Sequence, residues 1–296
     1  MGTTDIRRDT DLDDGSVRSG RGDGRLKRAV HSPLSWALAG LLGVGLVAGA
    51  TGTGPGPVPV LGAVAAVGVY WVVMRRLARR ATPEIAMRGA ARHALLGSAI
   101  GLGFIAAAAA LITAFGGYSF SWAHHGVLST VASVVAVQAG AAVTEELMFR
   151  GVALQAIEQR WGSKVAVAVT GLFFGAAHLA NPGATLWSGL AIAIEAGVML
   201  GAAFLWRRSI WLVVGVHFAW NTAEQLLGIP VSGHAPDARL WNVHTSGSQL
   251  LTGGSFGLEA SVVPVVIGLL LAVSMFAAAR RRGNVVLARR ANRRNR

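Results

Sequence analysis

The sequence predicts an all-α protein: a polytopic membrane helix bundle of about eight transmembrane helices, with the N- and C-termini in the cytoplasm. Of its 296 residues, 53% are hydrophobic and only 14% are charged, and the mean hydropathy is +0.51. This composition is too apolar for an ordinary soluble protein of this size. The apolar residues also form long uncharged blocks, and blocks of about 18 residues or more are typical of transmembrane helices.

Eight apolar blocks follow one another along the chain. They cover residues 34–50, 58–74, 94–115, 129–157, 165–179, 185–206, 210–227 and 258–279. Basic residues follow the second, fourth, sixth and eighth blocks, whereas the alternate loops carry only Asp237 and Arg239 as charged residues. The positive-inside rule therefore predicts an even number of spans with both termini in the cytoplasm.

Two charged tails flank this transmembrane domain, which we assign to residues 33–279. Residues 1–32 mix Arg and Asp with Gly and Ser and contain little to bury, so we predict a disordered tail. The stretch does not resemble a secretory signal, because its charges continue too long before the first apolar block. Residues 280–296 form a polybasic segment, which we expect to favour anionic lipid by about 1 kcal/mol per basic residue near the membrane.

Composition also excludes several classes of function. The chain contains no cysteine, which excludes disulfides, thiolate catalysis and cysteine-ligated zinc. Its net charge of +13 could suggest nucleic acid, but the arginines lie at the ends of apolar blocks, where a membrane protein has them. We therefore expect the lipid bilayer as a partner and no nucleic acid. The strong preference for arginine over lysine is typical of a high-GC bacterium, so we expect the bacterial cytoplasmic membrane as the location.

The most informative stretch is T-E-E-L-M-F-R-G at residues 144–151, inside the fourth block. A charged residue at this depth costs roughly 2.5 to 3.5 kcal/mol on insertion scales, so such a cluster must be paired, hydrated or used. Glu146 and Arg150 are four residues apart and can form an ion pair on one helix face. Glu145 lies about 100° away around the helix and is left free to act.

Two further polar pairs lie in other blocks at helical spacing. Phe174 and His178 end the fifth block, and His217 and Asn221 lie within the seventh. Each pair has i, i+4 spacing, so its members share a helix face. Together with Glu145, these residues offer a carboxylate, two imidazoles and an amide. That set can deprotonate a water and stabilise the oxyanion of a tetrahedral intermediate.

Other polar residues have weaker patterns. Glu195, alone in the sixth block, is either a helix-packing hydrogen bonder or a participant in the site. The adjacent His124 and His125 are expected in an interfacial belt, because neighbouring residues point apart and would not share a metal. His234 and His244 fall in the long outer loop before the eighth block, which is either a lid or a solvent loop.

At these motifs the chain resembles the CPBP family of intramembrane proteases, which includes CaaX prenyl endopeptidases and bacteriocin-processing or immunity proteins. The family pattern reads E-E-x-x-x-R, then F-x-x-x-H, then H-x-x-x-N. It is matched here by Glu145, Glu146 and Arg150, by Phe174 and His178, and by His217 and Asn221. The resemblance covers about residues 129–225, which we interpret as a catalytic core.

The resemblance implies an intramembrane endopeptidase that hydrolyses a peptide bond. In this reading Glu145 activates the attacking water with help from His178, and His217 and Asn221 stabilise the oxyanion or position the water. The supporting residues would be Glu146, Arg150 and Phe174. The substrate would be a membrane-associated peptide or protein, since bacteria are not expected to supply prenylated CaaX proteins.

The role of a metal stays open at this stage. Glu145, His178 and His217 form a plausible zinc set with a fourth position for water. The sequence lacks the local H-E-x-x-H spacing, however, and these ligands would come from three helices. A metal-free mechanism explains the same residues, and we prefer it.

Two other functions are alternatives to the protease. One is a non-catalytic bacteriocin-immunity or scaffold membrane protein that keeps the fold and binds a partner. The other is a proton-coupled transporter that uses Glu145, Glu195, His178 and His217 as a relay. Inverted repeats would favour a transporter, and we find no repeat in the order of the blocks or motifs.

Overall fold

A computed structural model of the chain describes residues 30–123 and 126–288. Within these ranges the chain forms ten α-helices and two short strands. The helices are α1 (Pro33–Thr51), α2 (Val58–Val72), α3 (Ala90–Ala114), α4 (Val127–Glu146), α5 (Leu154–Ala177), α6 (Leu186–Ile192), α7 (Met199–Arg207), α8 (Ile210–Leu226), α9 (Gln249–Thr252) and α10 (Val262–Arg281). The strands are β1 (Tyr118–Trp122) and β2 (Trp241–Thr245).

Six helical segments of the described chain are long and apolar enough to cross a membrane. They are Pro33–Thr51, Val58–Arg76, Ala90–Ala114, Val127–Ala180, Leu186–Arg207 and Val262–Arg281. These segments support the predicted class, a helical membrane bundle. The fourth segment is 54 residues long and contains the fourth and fifth predicted spans, while α8, the seventh, is 17 residues long. The count of eight and the orientation of the termini stay predictions.

The long helical segment Val127–Ala180 contains one break and one π-helical turn. At Gly162 the backbone has φ 80° and ψ 170°, which is not helical, so the chain changes direction between the two predicted spans. Leu147–Ala153 forms a π-helical turn between α4 and α5, directly after the two glutamates. A second π-helical turn, Ala193–Val198, joins α6 to α7. Such turns interrupt the regular hydrogen bonding of an α-helix and are frequent at functional sites.

A small antiparallel sheet lies outside the bundle and was not predicted. Strand β1 pairs with β2, with Tyr118 opposite Thr245 and Trp122 opposite Trp241. The buried Tyr118 donates a hydrogen bond to the carbonyl of Thr252 at 2.5 Å. The two loops that the sequence analysis treated as separate are thus joined. His124 and His125 lie outside the described residues.

Helices α3 and α8 pack with their backbones in close contact, and this contact holds the helix that carries His217. A Cβ atom added at Gly97 would lie 2.1 Å from the carbonyl oxygen of Leu212, and one at Gly101 would lie 2.3 Å from that of Val216. From the other side, a Cβ at Gly215 would lie 2.3 Å from the carbonyl oxygen of Ala94. Glycine is required at these positions because any side chain would push the helices apart.

The motif formed by Phe174 and His178 is also held by a close contact between helix backbones. A Cβ atom at Gly175, next to Phe174, would lie 2.1 Å from the carbonyl oxygen of Gly189 in α6. One turn earlier along α5, the Cα of Gly171 lies 2.6 Å from the position a Cβ would take at Gly197. The end of α5 therefore packs directly on α6 and the π-helical turn that follows it.

The predicted tails are described only in part. Residues 1–29 and 289–296 lie outside the described residues, so the predicted disorder of the first tail and the lipid contact of the last remain predictions. Within the described part of the C-terminal tail, Arg280 and Arg281 still belong to α10. Val286 then pairs with Ser163: its amide donates to Ser163 Oγ at 2.8 Å, and its carbonyl accepts from the Ser163 amide at 2.9 Å.

The α3 and α8 contact generates a stability prediction with a matched control on the same helix. We expect Gly101→Ala to destabilise the protein by about 1–3 kcal/mol, because overpacking forces the backbones apart. Gly103 has open space where a Cβ would lie, so Gly103→Ala should be neutral or stabilising by about 0.5–1 kcal/mol. Thermal unfolding of the two purified variants in detergent measures the difference. Equal melting temperatures would contradict the proposed role of the contact.

Candidate active site

One cavity brings together all four residues predicted to be catalytic. It has a volume of about 470 Å³, and its lining includes Glu145, His178, His217 and Asn221. The side chains come from α4, from the 3₁₀ turn His178–Ala180 that ends α5, and from α8. Residues more than 70 positions apart in the sequence thus face one space inside the bundle. Their catalytic roles remain predictions.

The two adjacent glutamates have different environments. The side chain of Glu145 is 31% exposed and faces the cavity, whereas that of Glu146 is fully buried. Glu146 Oε1 accepts a hydrogen bond from Arg150 Nη1 at 2.8 Å. The predicted ion pair is therefore present, and the neighbouring carboxylate is left open to the cavity.

Arg150 anchors this pair to a second helical segment. Its Nη2 atom donates to the carbonyl oxygens of Ala196 at 2.9 Å and Gly197 at 3.2 Å. These carbonyls belong to the π-helical turn between α6 and α7, where regular helical hydrogen bonding is interrupted. The guanidinium also lies 4.8 Å from the centre of the Phe174 ring, within the range of cation–π attraction.

His217 connects the buried pair to the cavity. Its Nδ1 atom lies 2.9 Å from Glu146 Oε1, and because a carboxylate only accepts, Nδ1 carries the proton of this hydrogen bond. The Nε2 atom lies 4.0 Å from Glu145 Oε2. Arg150, Glu146 and His217 thus form a continuous chain of charge-assisted hydrogen bonds, and the chain presents one imidazole nitrogen to the free carboxylate.

His178 is held by its own helix. Its Nδ1 atom lies 2.7 Å from the carbonyl oxygen of Phe174, so Nδ1 is the donor and Nε2 is left to act as an acceptor. The rings of Phe174 and His178 are 4.7 Å apart, and Phe174 and His217 are 6.3 Å apart in an edge-to-face arrangement. Phe174 therefore contacts both imidazoles, and its supporting role stays a prediction.

The amide of Asn221 completes the predicted set. Its side chain is 8% exposed and lies one helical turn after His217 on the same face of α8, where both line the cavity. Beside it, Gln138 of α4 donates to Gln225 of α8 at 2.7 Å. That hydrogen bond joins the two helices that carry Glu145 and His217.

A turn that covers one side of the cavity was not predicted. Val231, Ser232 and His234 line it, although the sequence analysis placed them in an outer loop, either lid or solvent-facing. Ser232 has φ 48°, a left-handed conformation that is uncommon for a residue with a side chain. No local pattern in the sequence reveals this contact, because the turn is held by partners far away in the chain.

Two residues distant in the sequence form hydrogen bonds with this turn. Glu259 accepts hydrogen bonds from the backbone amide of Ser232 at 2.6 Å and from its hydroxyl at 3.1 Å. Asn181, three residues after His178, donates to the carbonyl of Ser232 at 2.9 Å. The turn is therefore fixed to the same segment as His178, which favours a structural roof over a freely moving loop.

Other predicted candidates lie away from the cavity. Glu195 is fully buried, and neither of its carboxylate oxygens has a hydrogen-bond partner among the described residues. It therefore makes none of the helix-packing hydrogen bonds that were one of its two predicted roles, and it is absent from the cavity lining. His244 is an exposed residue of the outer sheet, with Nε2 3.1 Å from Ser121 Oγ.

The three residues of the predicted zinc set do not form a metal-binding group in this arrangement. In the described ranges, no three His, Asp or Glu side chains are close enough together to hold a metal ion. Nδ1 of each imidazole is engaged, with Glu146 or with the Phe174 carbonyl, which is common in metal-free and metal-bound histidines alike. The preference for a metal-free mechanism stays a prediction.

A second, apolar cavity adjoins the first. It has a volume of about 690 Å³ and lies between α1 and α5, with Leu34, Ile157 and Phe173 in its lining. Phe149 and Ala177 line both cavities. The candidate site is thus bordered by an apolar space at the level of the membrane-spanning helices.

Comparison with protein families identifies the part of the chain that contains this site. Residues 127–223 match the family model for type II CAAX prenyl endopeptidase Rce1-like proteins. We refer to this matched stretch as the Rce1-like region. The Rce1-like region is about a third of the chain, and the match confirms the resemblance to the CPBP proteases. Comparisons with curated proteins and with solved structures give no match.

The buried ion pair of the Rce1-like region generates a second prediction. We expect Arg150→Met to destabilise the protein by about 3–5 kcal/mol, because it leaves the Glu146 charge buried without its partner. Arg160→Met is the matched control, since Arg160 is exposed, and it should change stability by no more than about 0.5 kcal/mol. Thermal unfolding in detergent checks both. Similar melting temperatures for the two variants would show that the ion pair contributes little.

Proposed function

We propose that this protein is an intramembrane endopeptidase that hydrolyses a peptide bond of a membrane-associated peptide or protein. The observation that carries the proposal is the Glu145 carboxylate, 31% exposed, in one cavity with two imidazoles and an amide. Ionisable groups inside a membrane protein are expensive and are retained mainly for function. The Rce1-like match of the region that holds them supports the same reaction class.

In the proposed first step, Glu145 and His178 activate a water molecule. Glu145 takes a proton from the water as its oxygen attacks the carbonyl carbon of the scissile bond. His178 Nε2 accepts a hydrogen bond from the same water and orients it, because Nδ1 is engaged with the Phe174 carbonyl. The carbonyl oxygen then becomes an oxyanion in a tetrahedral intermediate.

In the proposed second step, His217 and Asn221 stabilise that oxyanion. The amide of Asn221 donates one hydrogen bond, and a protonated Nε2 of His217 donates another. Glu145 then delivers its proton to the amide nitrogen, the carbon–nitrogen bond breaks as the oxyanion collapses to a carbonyl, and a carboxylic acid and an amine form. The acid passes its remaining proton to the amine, so the products leave as a carboxylate and an ammonium. The proton balance closes within the site and requires no metal.

The role proposed for Glu146 and Arg150 is positioning. Glu146 binds Nδ1 of His217 at 2.9 Å and Arg150 at 2.8 Å, so it fixes the orientation of the imidazole and favours its protonated form. Arg150 in turn is tied to the backbone of another segment. Preorganised groups of this kind stabilise developing charge without having to reorganise during the reaction.

The proposed substrate class follows from the surroundings of the site. The apolar cavity that shares Phe149 and Ala177 with the site offers a path from the bilayer for an apolar segment. A membrane-associated peptide fits this path better than a soluble one. The expected location remains the bacterial cytoplasmic membrane.

The proposal predicts the loss of activity on removal of either activating group. We expect Glu145→Gln and His178→Ala each to reduce cleavage of a membrane-peptide library at least about 100-fold, because general acid–base catalysis contributes roughly 10²–10⁴-fold. Purified full-length protein in detergent, with product detection by mass spectrometry, measures the rates.

The matched controls for this experiment are Asp237→Asn and His244→Ala, which change an exposed carboxylate and an exposed imidazole and should cleave like wild type. Each protein is also assayed with a chelator, and we expect no loss of activity. Inhibition that zinc reverses would replace the metal-free mechanism with a metal-dependent one. Undiminished cleavage by Glu145→Gln would rule out its role as the base.

A further prediction tests whether Glu146 positions His217 or binds the substrate. We expect Glu146→Gln to lower kcat about 10- to 100-fold with little change in KM, because a neutral amide orients the His217 imidazole less firmly and does not favour its charged form. Glu146→Asp, which keeps the charge, should restore part of kcat. Steady-state kinetics on one cleaved peptide provide the test, and an effect confined to KM would assign Glu146 to substrate binding.

A further inference from the structure

A second groove lies away from the candidate active site, against helix α10. It has a volume of about 670 Å³, within the range of roughly 300–1,000 Å³ that is typical of small-molecule sites. Leu269, Val273 and Phe276 of α10 form one apolar wall, and Ala202 of α7 lies on another side. Leu269 and Val273 are 49% and 62% exposed, so the groove opens toward the lipid.

The chain after α10 folds back to form one end of this groove. Val285 and Leu287 contribute to the lining, and the residues beside them are held firmly. Asn284 donates to the Trp206 carbonyl at 3.1 Å, and the amide of Val286 donates to Ser163 Oγ at 2.8 Å. The groove is thus a built feature of three packed segments and is not a gap between loosely placed helices.

Two cations also line the groove: Lys164 of α5 and Arg280 of α10. Their side chains make no hydrogen bond or ion pair with another residue of the ranges 30–123 and 126–288. Glu158, a carboxylate at this end of α5, is already engaged by Arg208 at 2.6 and 2.8 Å. The groove therefore combines an apolar floor with two positive charges that have no described acidic partner.

We propose that this groove binds one anionic phospholipid, with an acyl chain along α10 and the phosphate at Lys164 and Arg280. Arg280 lies in the last turn of the apolar helix α10, and Lys164 lies two residues after the break at Gly162, where the apolar part of α5 begins. Cations at such positions flank membrane-spanning stretches, which is the depth of lipid headgroups. Lys and Arg are the side chains that bind phosphate oxygens, and basic pockets between membrane helices recognise anionic headgroups. The apolar walls account for the acyl chain, and the charges select for an anionic headgroup over a zwitterionic one.

Native mass spectrometry of the full-length protein tests this proposal with phosphatidylglycerol and phosphatidylcholine of identical acyl chains. For the first lipid molecule bound, we expect the dissociation constant of phosphatidylglycerol to be roughly tenfold lower than that of phosphatidylcholine. The double variant Lys164→Gln, Arg280→Gln should lose this preference. Val273→Trp, which fills the exposed groove without changing charge, should weaken the binding of both lipids a few-fold.

The matched control removes two exposed charges that do not line the groove, Arg88→Gln and Arg92→Gln, and should keep the preference. Melting temperatures in detergent check that each variant is folded. Equal binding of the two lipids by wild type would overturn the proposal. So would an equal loss of preference in the control variant, because it would mean that diffuse positive charge, and not the groove, attracts the lipid. The test measures lipid binding only and is independent of peptide cleavage.

Discussion

The central constraint on this molecule is a buried guanidinium that must be neutralised inside a membrane-spanning bundle. Arg150 is 1% exposed and pairs with Glu146, which is fully buried and also bonds to His217. Breaking such a pair leaves an uncompensated charge in a low-dielectric interior, which is strongly unfavourable. The three residues come from α4, the turn that follows it and α8, so their hydrogen bonds fix these segments relative to one another.

Irregular backbone makes this arrangement feasible. The π-helical turn at Ala193–Val198 supplies the carbonyls that accept from Arg150, and the turn at Leu147–Ala153 carries Arg150 itself. Non-helical backbone is tolerated at membrane depth only where it is buried in protein or lines a cavity. Close glycine contacts, such as Gly101 against the Val216 carbonyl, then bring the helices near enough for the side chains to meet.

The candidate active site and the proposed lipid groove have different lining residues. The cavity with Glu145 and the two histidines adjoins an apolar cavity through Phe149 and Ala177, and the proposed hydrolysis of a substrate from the bilayer uses both spaces. The groove at Lys164 and Arg280 shares none of these residues. A lipid bound there would hold the C-terminal segment against the break at Gly162 and leave the site free. The proposed peptide hydrolysis and the proposed lipid binding thus use different residues of one fold.

The sequence by itself determined the helical membrane class and the family resemblance, and it predicted Glu145, His178, His217 and Asn221 as one candidate set. These depend on hydropathy and on short motifs within single helices. The sequence did not reveal the outer sheet, the roof at Ser232, the separation of Glu195 from the cavity or the break at Gly162. Those features depend on partners distant in the chain, such as Glu259 for Ser232 and β2 for β1. Only the tertiary structure decided them, because hydrogen bonds and close packing between segments are three-dimensional quantities that local pattern does not encode.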